Sequence, residues 1–209
     1  AVRHPDRHRG TLAGVRIHDD AESLANDASV DLVVEASGSP DAATWLRRAI
    51  ARGAAAVSAN KQAIAGDRVL LQALADRHPL LHCEAAVAAA LPIVRALRDS
   101  LDGEEIHNVR GVLNGTTTYI LTQIERGARF RDALLLAQEH GYAEADAEAD
   151  LSGRDAAAKL AILATLAWRR PITVHDVDTK GINGNIVDVV RVAREHGSRI
   201  DLQRTTDGG

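Results

Sequence analysis

The sequence contains little sulfur and few aromatic side chains. Its 209 residues include no Met, one Cys, two Trp, two Tyr and one Phe. A single Cys cannot form an internal disulfide, and it cannot build a Cys-based zinc site without a second Cys. So few aromatic side chains leave few platforms on which single-stranded bases could stack, and a formal net charge of −4 argues against a polyanionic partner. We therefore expect no nucleic-acid partner.

Long apolar runs and common nucleotide-binding and catalytic motifs are also missing. The longest near-continuous apolar run, residues 85–94, is too short to span a bilayer and contains Pro92. No charged segment followed by an apolar one opens the chain, as a secretory signal would require. The sequence has no P-loop, H-E-x-x-H or G-x-S-x-G, and no G-x-G-x-x-G to cradle a dinucleotide pyrophosphate. We expect no membrane partner.

The absence of Met bears on the chain itself, because an intact translation product begins with Met. The first three residues, Ala1-Val2-Arg3, are typical of the end of an apolar strand. We therefore expect a fragment or a truncated form. The composition is otherwise that of a globular protein, since 45% of the residues are hydrophobic and 26% are charged.

Short apolar runs alternate with helical patterns up to about residue 84. Residues 30–36, 54–58 and 80–84 have the length of buried strands, whereas the spacing in 41–52 and 67–77 predicts helices. Gly53 is placed to end the first of these helices, and Asn60 to cap a turn after the second strand. This alternation is typical of a parallel, doubly wound sheet, so we predict an α/β fold.

The pattern after residue 84 predicts an α+β layer. Pro92 suits the first turn of a helix that runs to Ser100, and Thr116 or Thr117 is expected to cap a helix that reaches Arg126. Further helices are predicted over 130–140, 154–168 and 185–196, and strands over 105–113, 171–177 and 199–202. We therefore divide the chain into residues 1–84 and 85–209.

The densest group of charges lies between Tyr142 and Lys159. Five carboxylates fall within a dozen residues there, which is also typical of a solvated acidic loop. Asp155 and Lys159 lie four residues apart in a predicted helix, so they share one face. That spacing fits an ordinary surface salt bridge, but it also fits a half-buried lysine that accepts the proton of an alcohol during oxidation. Glu144 and Asp150 would then be available to hold a substrate ammonium.

Polar residues also follow two predicted strands. Lys61 comes just after residues 54–58, and Ser37-Gly38 follows residues 30–36. Ligands of open α/β sheets bind at the carboxyl ends of the strands, although a lysine in a surface loop would show the same pattern.

Five segments together resemble the homoserine dehydrogenase family, and the resemblance covers nearly the whole chain. The segments are VVEASG (33–38), SANKQA (58–63), EAAV through LPI (84–93), NGTTTYI (114–120) and GYAE through Lys159 (141–159). The resemblance implies an incomplete Rossmann-type NAD(P)-binding domain followed by an α+β domain for substrate binding and dimerisation. It also implies NAD(P)-dependent interconversion of L-homoserine and L-aspartate 4-semialdehyde, by a cytoplasmic homodimer that serves threonine, methionine and isoleucine biosynthesis.

The resemblance also implies roles for individual residues. Lys159 is the expected proton donor and acceptor, Asp155 binds substrate and orients this lysine, and Glu144 binds substrate as well. Lys61 is expected beside the nicotinamide and the substrate. The residues expected to line the cofactor are Ser37, Gly38 and Gly141. The backbone carbonyls expected to hold a sodium ion are those of Glu84, Val87, Ala89 and Leu91.

Several positions depart from the family pattern. Ala88-Ala89-Ala90 stands where glycines are usual, which predicts backbone strain because alanine is less free than glycine at positive φ. Ala145 and Ala147 replace expected prolines, which predicts a looser loop. Arg3 stands where a 2′-phosphate would lie and favours NADP, although NAD stays open. The first strand with its glycine-rich turn and a C-terminal segment are expected to be missing. A non-catalytic dimerisation or substrate-binding module is therefore the alternative function.

Overall fold

The structure, a computed structural model, describes residues 1, 14–196 and 204–207. Three parallel strands form one sheet in the order β1 (Leu32–Glu35), β2 (Ala55–Ser58) and β3 (Leu81–His82). Glu35 lies beside Ser58 in the register of the first pair, so β1 and β2 end at the same edge of the sheet. The predicted α/β fold with a Rossmann-type parallel sheet is confirmed.

Helices flank this sheet and make up most of the chain after β3. The helices before β3 are α1 (Ala21–Asn26), α2 (Ala42–Ala51), α3 (Lys61–Ala65) and α4 (Arg68–Ala75). The later helices are α5 (Ile93–Arg95), α6 (Gly115–Glu125), α7 (Phe130–Glu139), α8 (Glu148–Leu151), α9 (Arg154–Trp168) and α10 (Ile186–Glu195). A π-helical turn, Ala96–Ser100, continues α5. A second, antiparallel sheet pairs β4 (Asn108–Gly111) with β5 (Arg204–Asp207).

Helix α9 joins the two parts of the chain. Its residues from Asp155 to Leu166 are all buried except Lys159, because the helix contacts α3, α4, α8 and both strands of the second sheet. Ala158, Ala161 and Ile162 belong to the same hydrophobic core as Leu46 and Leu71 from the first part of the chain. Burial of these apolar surfaces is the main force that holds α9 in place.

Local capping explains where several helices begin and end. Asn60 caps α3, since its Oδ1 accepts a hydrogen bond from the N–H of Ala63 at 3.1 Å. Gly53 follows α2 with φ of 90°, a conformation that favours glycine. The bounds predicted for the helix at 154–168 agree with α9. The third strand, in contrast, is shorter than predicted, because Glu84 already belongs to the 3-10 helix Glu84–Ala86.

Two predictions, one of a helix cap and one of a strand, were wrong. The cap of α6 is Asn114 rather than Thr116 or Thr117, because the Asn114 Oδ1 accepts the Thr117 N–H at 2.8 Å. Residues 171–177 form no strand but contain a 3-10 turn, Val174–Asp176, which is closed by a capping box between Thr173 and Asp176. The strand predicted over 199–202 and the helix-ending Gly197 lie outside the described residues.

No helix in the described part of the chain is both long enough and apolar enough to cross a membrane.

Candidate active site

The packing of α3 against α9 brings Lys61 and Asp155 together. Lys61 is the first residue of α3. It follows the helix cap Asn60, which lies two residues after the end of β2, at the carboxyl edge of the sheet. Asp155 lies in the first turn of α9. The Lys61 Nζ is 3.1 Å from the Asp155 Oδ1. A lysine and a carboxylate that are far apart in sequence thus form one charged cluster at this edge.

The second oxygen of Asp155 is shared by Lys159 and Asn114. The Lys159 Nζ donates to the Asp155 Oδ2 at 2.6 Å, and the Asn114 Nδ2 donates to the same oxygen at 2.9 Å. The side chains of Asp155 and Lys159 are only 11% and 19% exposed. This burial rules out the surface salt bridge that the four-residue spacing left open.

The charge of Asp155 is fixed by its neighbours. Burial by itself raises the pKa of this carboxyl, but the hydrogen bonds from Lys159 and Asn114 and the charges of Lys159 and Lys61 outweigh burial and hold the pKa below its ordinary value. Asp155 is therefore an anion at neutral pH. It neutralises part of the positive charge of the two lysines.

Lys159 has one donor left for a ligand. An ammonium carries three N–H groups. One binds Asp155, and a second donates to the backbone carbonyl of Leu113 at 2.8 Å. Among the described residues these are its hydrogen-bond partners, so the third N–H can reach a substrate oxygen.

The use of lysine here is notable because the chain otherwise relies on arginine. Of its 25 basic residues only three are lysines, namely Lys61, Lys159 and Lys180. Two of the three meet on one carboxylate. Arginine stays protonated in proteins, whereas lysine can release a proton. The cluster thus holds basic side chains that, unlike arginine, can take part in proton transfer.

The structure places the two other predicted substrate carboxylates differently. Asp150 joins the cluster, because its Oδ1 accepts from the Asn114 Nδ2 at 2.6 Å. Glu144 is exposed, and its carboxylate bonds to none of the described residues. Its backbone carbonyl accepts from the Gln138 Nε2 at 3.2 Å, which anchors the loop before α8. The acidic segment 142–159 thus contributes Asp150 and Asp155 to the cluster, whereas Glu144 lies in a solvated loop.

A network at the ends of β1 and β2 holds the predicted cofactor loop. The buried Glu35 carboxylate accepts from the N–H and the hydroxyl of Ser37, both at 2.8 Å, and from the Ser58 hydroxyl at 2.6 Å. Burial by itself raises the pKa of Glu35, but these hydrogen bonds outweigh burial and hold the pKa below its ordinary value. The carboxylate is therefore ionised at neutral pH. Gly38 follows with φ of 67° and open space where a side chain would be. A ligand can therefore approach the backbone closely at this loop.

The predicted cation loop shows the expected strain at one residue. Ala88 has φ of 50°, in the left-handed region. Glu84 turns one carboxylate oxygen to the Arg95 N–H at 2.9 Å, while its Oε1 is buried without a protein partner. The Leu91 carbonyl accepts from the Ile93 N–H at 2.8 Å. Val87 is buried, whereas Ala89 is exposed. A buried, unpartnered carboxylate oxygen is compatible with a nearby hard cation.

An open cavity of about 590 Å³ lies beside the cluster. Its lining consists of Ala88, Tyr142 and residues of the segment 112–126, among them Leu113, Asn114 and Tyr119. Tyr119 and Tyr142 stack at 4.4 Å between ring centroids. Gly141, which was predicted to line the cofactor, precedes Tyr142 and has φ of 73°. The volume suits a small-molecule ligand. Arg3 lies outside the described residues.

Sequence reasoning missed two residues of this site. Neither Glu35 nor Asn114 was singled out, although each is buried and each joins two elements. The available signal was position, since Glu35 lies near the end of the strand predicted over 30–36 and Asn114 directly follows the strand predicted over 105–113.

Comparisons with known proteins agree with these features. The family model described as "Homoserine dehydrogenase" matches residues 92–205, and "Homoserine dehydrogenase, NAD binding domain" matches residues 2–88. A homoserine dehydrogenase of Helicobacter pylori is 39% identical over 203 residues, which are 96% of this chain and 48% of that protein. The chain thus spans about half the length of this curated relative.

Solved structures show the same relationship. The crystal structure of a homoserine dehydrogenase from Thiobacillus denitrificans matches with a TM-score of 0.84 and 33% identity, over 100% of this chain and 49% of the other. A hyperthermophilic archaeal homoserine dehydrogenase in complex with NADPH matches with a TM-score of 0.74 and 23% identity, over 98% of this chain and 63% of the other. The second match supports the fold alone.

Proposed function

The chain belongs to the homoserine dehydrogenase family, and from that premise we propose that it catalyses the NAD(P)-dependent interconversion of L-homoserine and L-aspartate 4-semialdehyde. The observation that carries the proposal is the cluster of the buried Asp155 with the partly buried Lys61 and Lys159 at the carboxyl edge of the parallel sheet. Open α/β sheets bind their ligands at this edge. The cluster supplies the charge and the proton acceptor that oxidation of an amino alcohol needs.

Lys159 handles the proton in this proposal. In its neutral form the Lys159 Nζ accepts the hydroxyl proton of homoserine, while the carbon that bears this hydroxyl loses its hydrogen as a hydride. In the reverse direction the Lys159 ammonium donates its third N–H to the carbonyl oxygen of the semialdehyde. Asp155 and the Leu113 carbonyl hold the nitrogen in place during both steps. Lys61 stabilises negative charge that develops on the substrate oxygen.

The cofactor NAD(P), when bound, accepts or supplies the hydride. Ser37 and Gly38 would contact it at the end of β1, Lys61 would lie beside the nicotinamide, and Gly141 would line the site from the loop after α7. The open space over Gly38 and the carboxylate-anchored Ser37 loop fit such a ligand. We favour NADP over NAD because Arg3 can pair with a 2′-phosphate.

The substrate amine is assigned to the acidic residues. Asp150 and Asp155 lie within one hydrogen-bonded cluster, and Glu144 on the exposed loop completes the set by closing on the ligand. A sodium ion held by the carbonyls of Glu84, Val87, Ala89 and Leu91 belongs to the proposal too. Its support is the strained Ala88 and the unpartnered Glu84 Oε1.

The proposed organisation is a cofactor part, residues 1–84, and a substrate and dimerisation part, residues 85–209, in a cytoplasmic homodimer. Val189 and Val192 on α10 are half exposed and offer an apolar surface for such a contact. The alternative function is a module that binds substrate without turnover, since the carboxylates of Asp150 and Asp155 can hold an amine whether or not a cofactor is bound.

Turnover and binding measured side by side separate these functions. The chain is mixed with NADPH and L-aspartate 4-semialdehyde, NADPH absorbance is followed, and the product is identified by mass spectrometry. NADH serves as the matched second cofactor, and homoserine binding is measured by calorimetry. We expect NADPH oxidation with homoserine as the product, faster than with NADH. Homoserine binding without oxidation would favour the module, and neither binding nor oxidation would exclude both functions.

A further inference from the structure

Asn114 connects both carboxylates of the cluster, Asp150 and Asp155, to the start of helix α6. It is 8% exposed and stands between β4 and α6. Its Nδ2 donates to Asp150 Oδ1 at 2.6 Å and to Asp155 Oδ2 at 2.9 Å. Its Oδ1 accepts the Thr117 N–H at 2.8 Å. Both ends of one amide are thus engaged, with one end on acids and the other on a helix.

The chemistry of these partners fixes which way the amide points. A carboxylate only accepts hydrogen bonds, and a backbone N–H only donates. The Asn114 nitrogen must therefore face Asp150 and Asp155, and its oxygen must face Thr117. The helix cap in turn fixes the side chain in one position, so the two N–H groups are directed at the two carboxylates.

Asp155 has several orientations open to it without this contact. Its Oδ1 pairs with Lys61, and its Oδ2 pairs with Lys159. Lys61 reaches Oδ1 on a flexible side chain and Lys159 contacts Oδ2, so these two cations alone allow the carboxylate to rotate while it keeps contact with each. The Asn114 side chain is short and is anchored by its bond to the Thr117 N–H, so its hydrogen bond to Oδ2 fixes the Asp155 carboxylate in one orientation. It also places a donor between two negative groups, Asp150 and Asp155, that would otherwise repel each other.

We propose that Asn114 is a positioning residue that holds Asp150 and Asp155 as one acidic pair and keeps Asp155 turned toward Lys159. This inference rests on the proposed function, because it assigns Asn114 to the same site, and it deepens that function by linking the start of α6 to the geometry of the proton-transfer group. Asn114 acts through Asp155 and touches no reacting atom in this account.

Two substitutions separate positioning from helix capping. Asn114→Ser keeps an oxygen that can cap α6, but the shorter side chain cannot reach both carboxylates. Asn114→Ala loses the cap as well. If Asn114 positions the acids, both variants lower kcat to a similar extent, on the order of tenfold to a hundredfold. Only Asn114→Ala also lowers the urea midpoint of unfolding substantially.

A readout without substrate or cofactor makes the test independent of turnover. Carbon NMR of labelled aspartate carboxyls follows the titration of Asp155, whose signal is assigned by its loss in Asp155→Asn. Removal of the Asn114 donor should raise the pKa of Asp155 equally in Asn114→Ser and Asn114→Ala, with Lys61, Lys159 and Asp150 still facing it. An unchanged titration in Asn114→Ser, with or without unchanged kcat, would reduce Asn114 to a helix cap and overturn the inference. Absence of turnover in the unsubstituted chain would contradict the proposed function but leave this titration decisive.

Discussion

At the scale of single residues, Asp155 is the point where the site is organised. Its two oxygens take different cations, with Lys61 on Oδ1 and Lys159 on Oδ2. The two lysines differ in their contacts, since Lys159 also donates to the Leu113 carbonyl, whereas no such carbonyl partner of Lys61 lies among the described residues. In the proposed function, Lys159 is thus held for proton transfer, and Lys61 supplies a positive charge for the substrate.

Replacement of Lys61 tests this division. We expect Lys61→Met to lower kcat by on the order of a hundredfold, because the substrate oxygen loses a cation that stabilises its developing charge. Initial rates of NADPH oxidation over a range of semialdehyde concentrations measure the effect. Lys180→Met is the matched control, since Lys180 is the remaining lysine and is exposed. A Lys61→Met variant as fast as Lys180→Met would remove Lys61 from the mechanism.

At the scale of elements, the Glu35 network joins the ends of β1 and β2. Ser58 links the two, because its hydroxyl donates to Glu35 at 2.6 Å and accepts the Asn60 N–H at 3.0 Å. Asn60 in turn donates from Nδ2 to the Ser39 carbonyl at 3.0 Å. The loop after β1 and the start of α3 are therefore held together by polar contacts, which have directional preferences that apolar packing lacks.

This network predicts how stability depends on pH. The pKa of Glu35 is lower in the folded chain than its ordinary value of 4.5. The ionised carboxylate therefore contributes stability that is complete above that value and is lost as the pH falls through the folded pKa. Glu35→Gln should lower the free energy of unfolding at neutral pH by about 1–3 kcal/mol and flatten its decline in acid. Urea unfolding at a series of pH values measures both, with the exposed Glu104→Gln as control. Equal acid profiles in the two variants would mean that Glu35 is not a stabilising anion.

The elements also show what local sequence can predict. The bounds of α9 follow from its composition and from Gly153 before it, and those signals lie within the segment itself. The prediction of Thr116 or Thr117 as the cap was wrong because three residues within four positions can each cap a helix, and Asn114 is in addition held by carboxylates from α8 and α9. The pairing of Lys61 with Asp155 was likewise beyond local patterns, since it follows from how α3 packs on α9. Residue types were thus predictable, but their convergence was not.

At the scale of the whole molecule, one hydrophobic core crosses the proposed division at residue 84. Apolar residues of α9 pack into the core around the parallel sheet, together with Leu46 and Leu71. The same helix carries Asp155 and Lys159, so the position of the charged cluster depends on that core. The two parts of the chain should therefore unfold together.

The two tryptophans report on the two parts separately. Trp45 lies in α2, and Trp168 ends α9, where its indole N–H donates to the Ile106 carbonyl at 2.6 Å. In the variants Trp45→Phe and Trp168→Phe, we expect the fluorescence of the remaining tryptophan and the far-ultraviolet circular dichroism to give one urea midpoint. A fluorescence midpoint clearly different from the dichroism midpoint in either variant would show that the parts unfold independently.

The most direct test of the account is the turnover of two Lys159 variants. Lys159→Ala removes the proton acceptor, while Lys159→Arg keeps a cation beside Asp155 but cannot release a proton at neutral pH. Both should reduce kcat by about 100-fold to 10,000-fold, with the Kd for NADPH little changed. Near-normal turnover in either variant would contradict the assignment of the proton to Lys159.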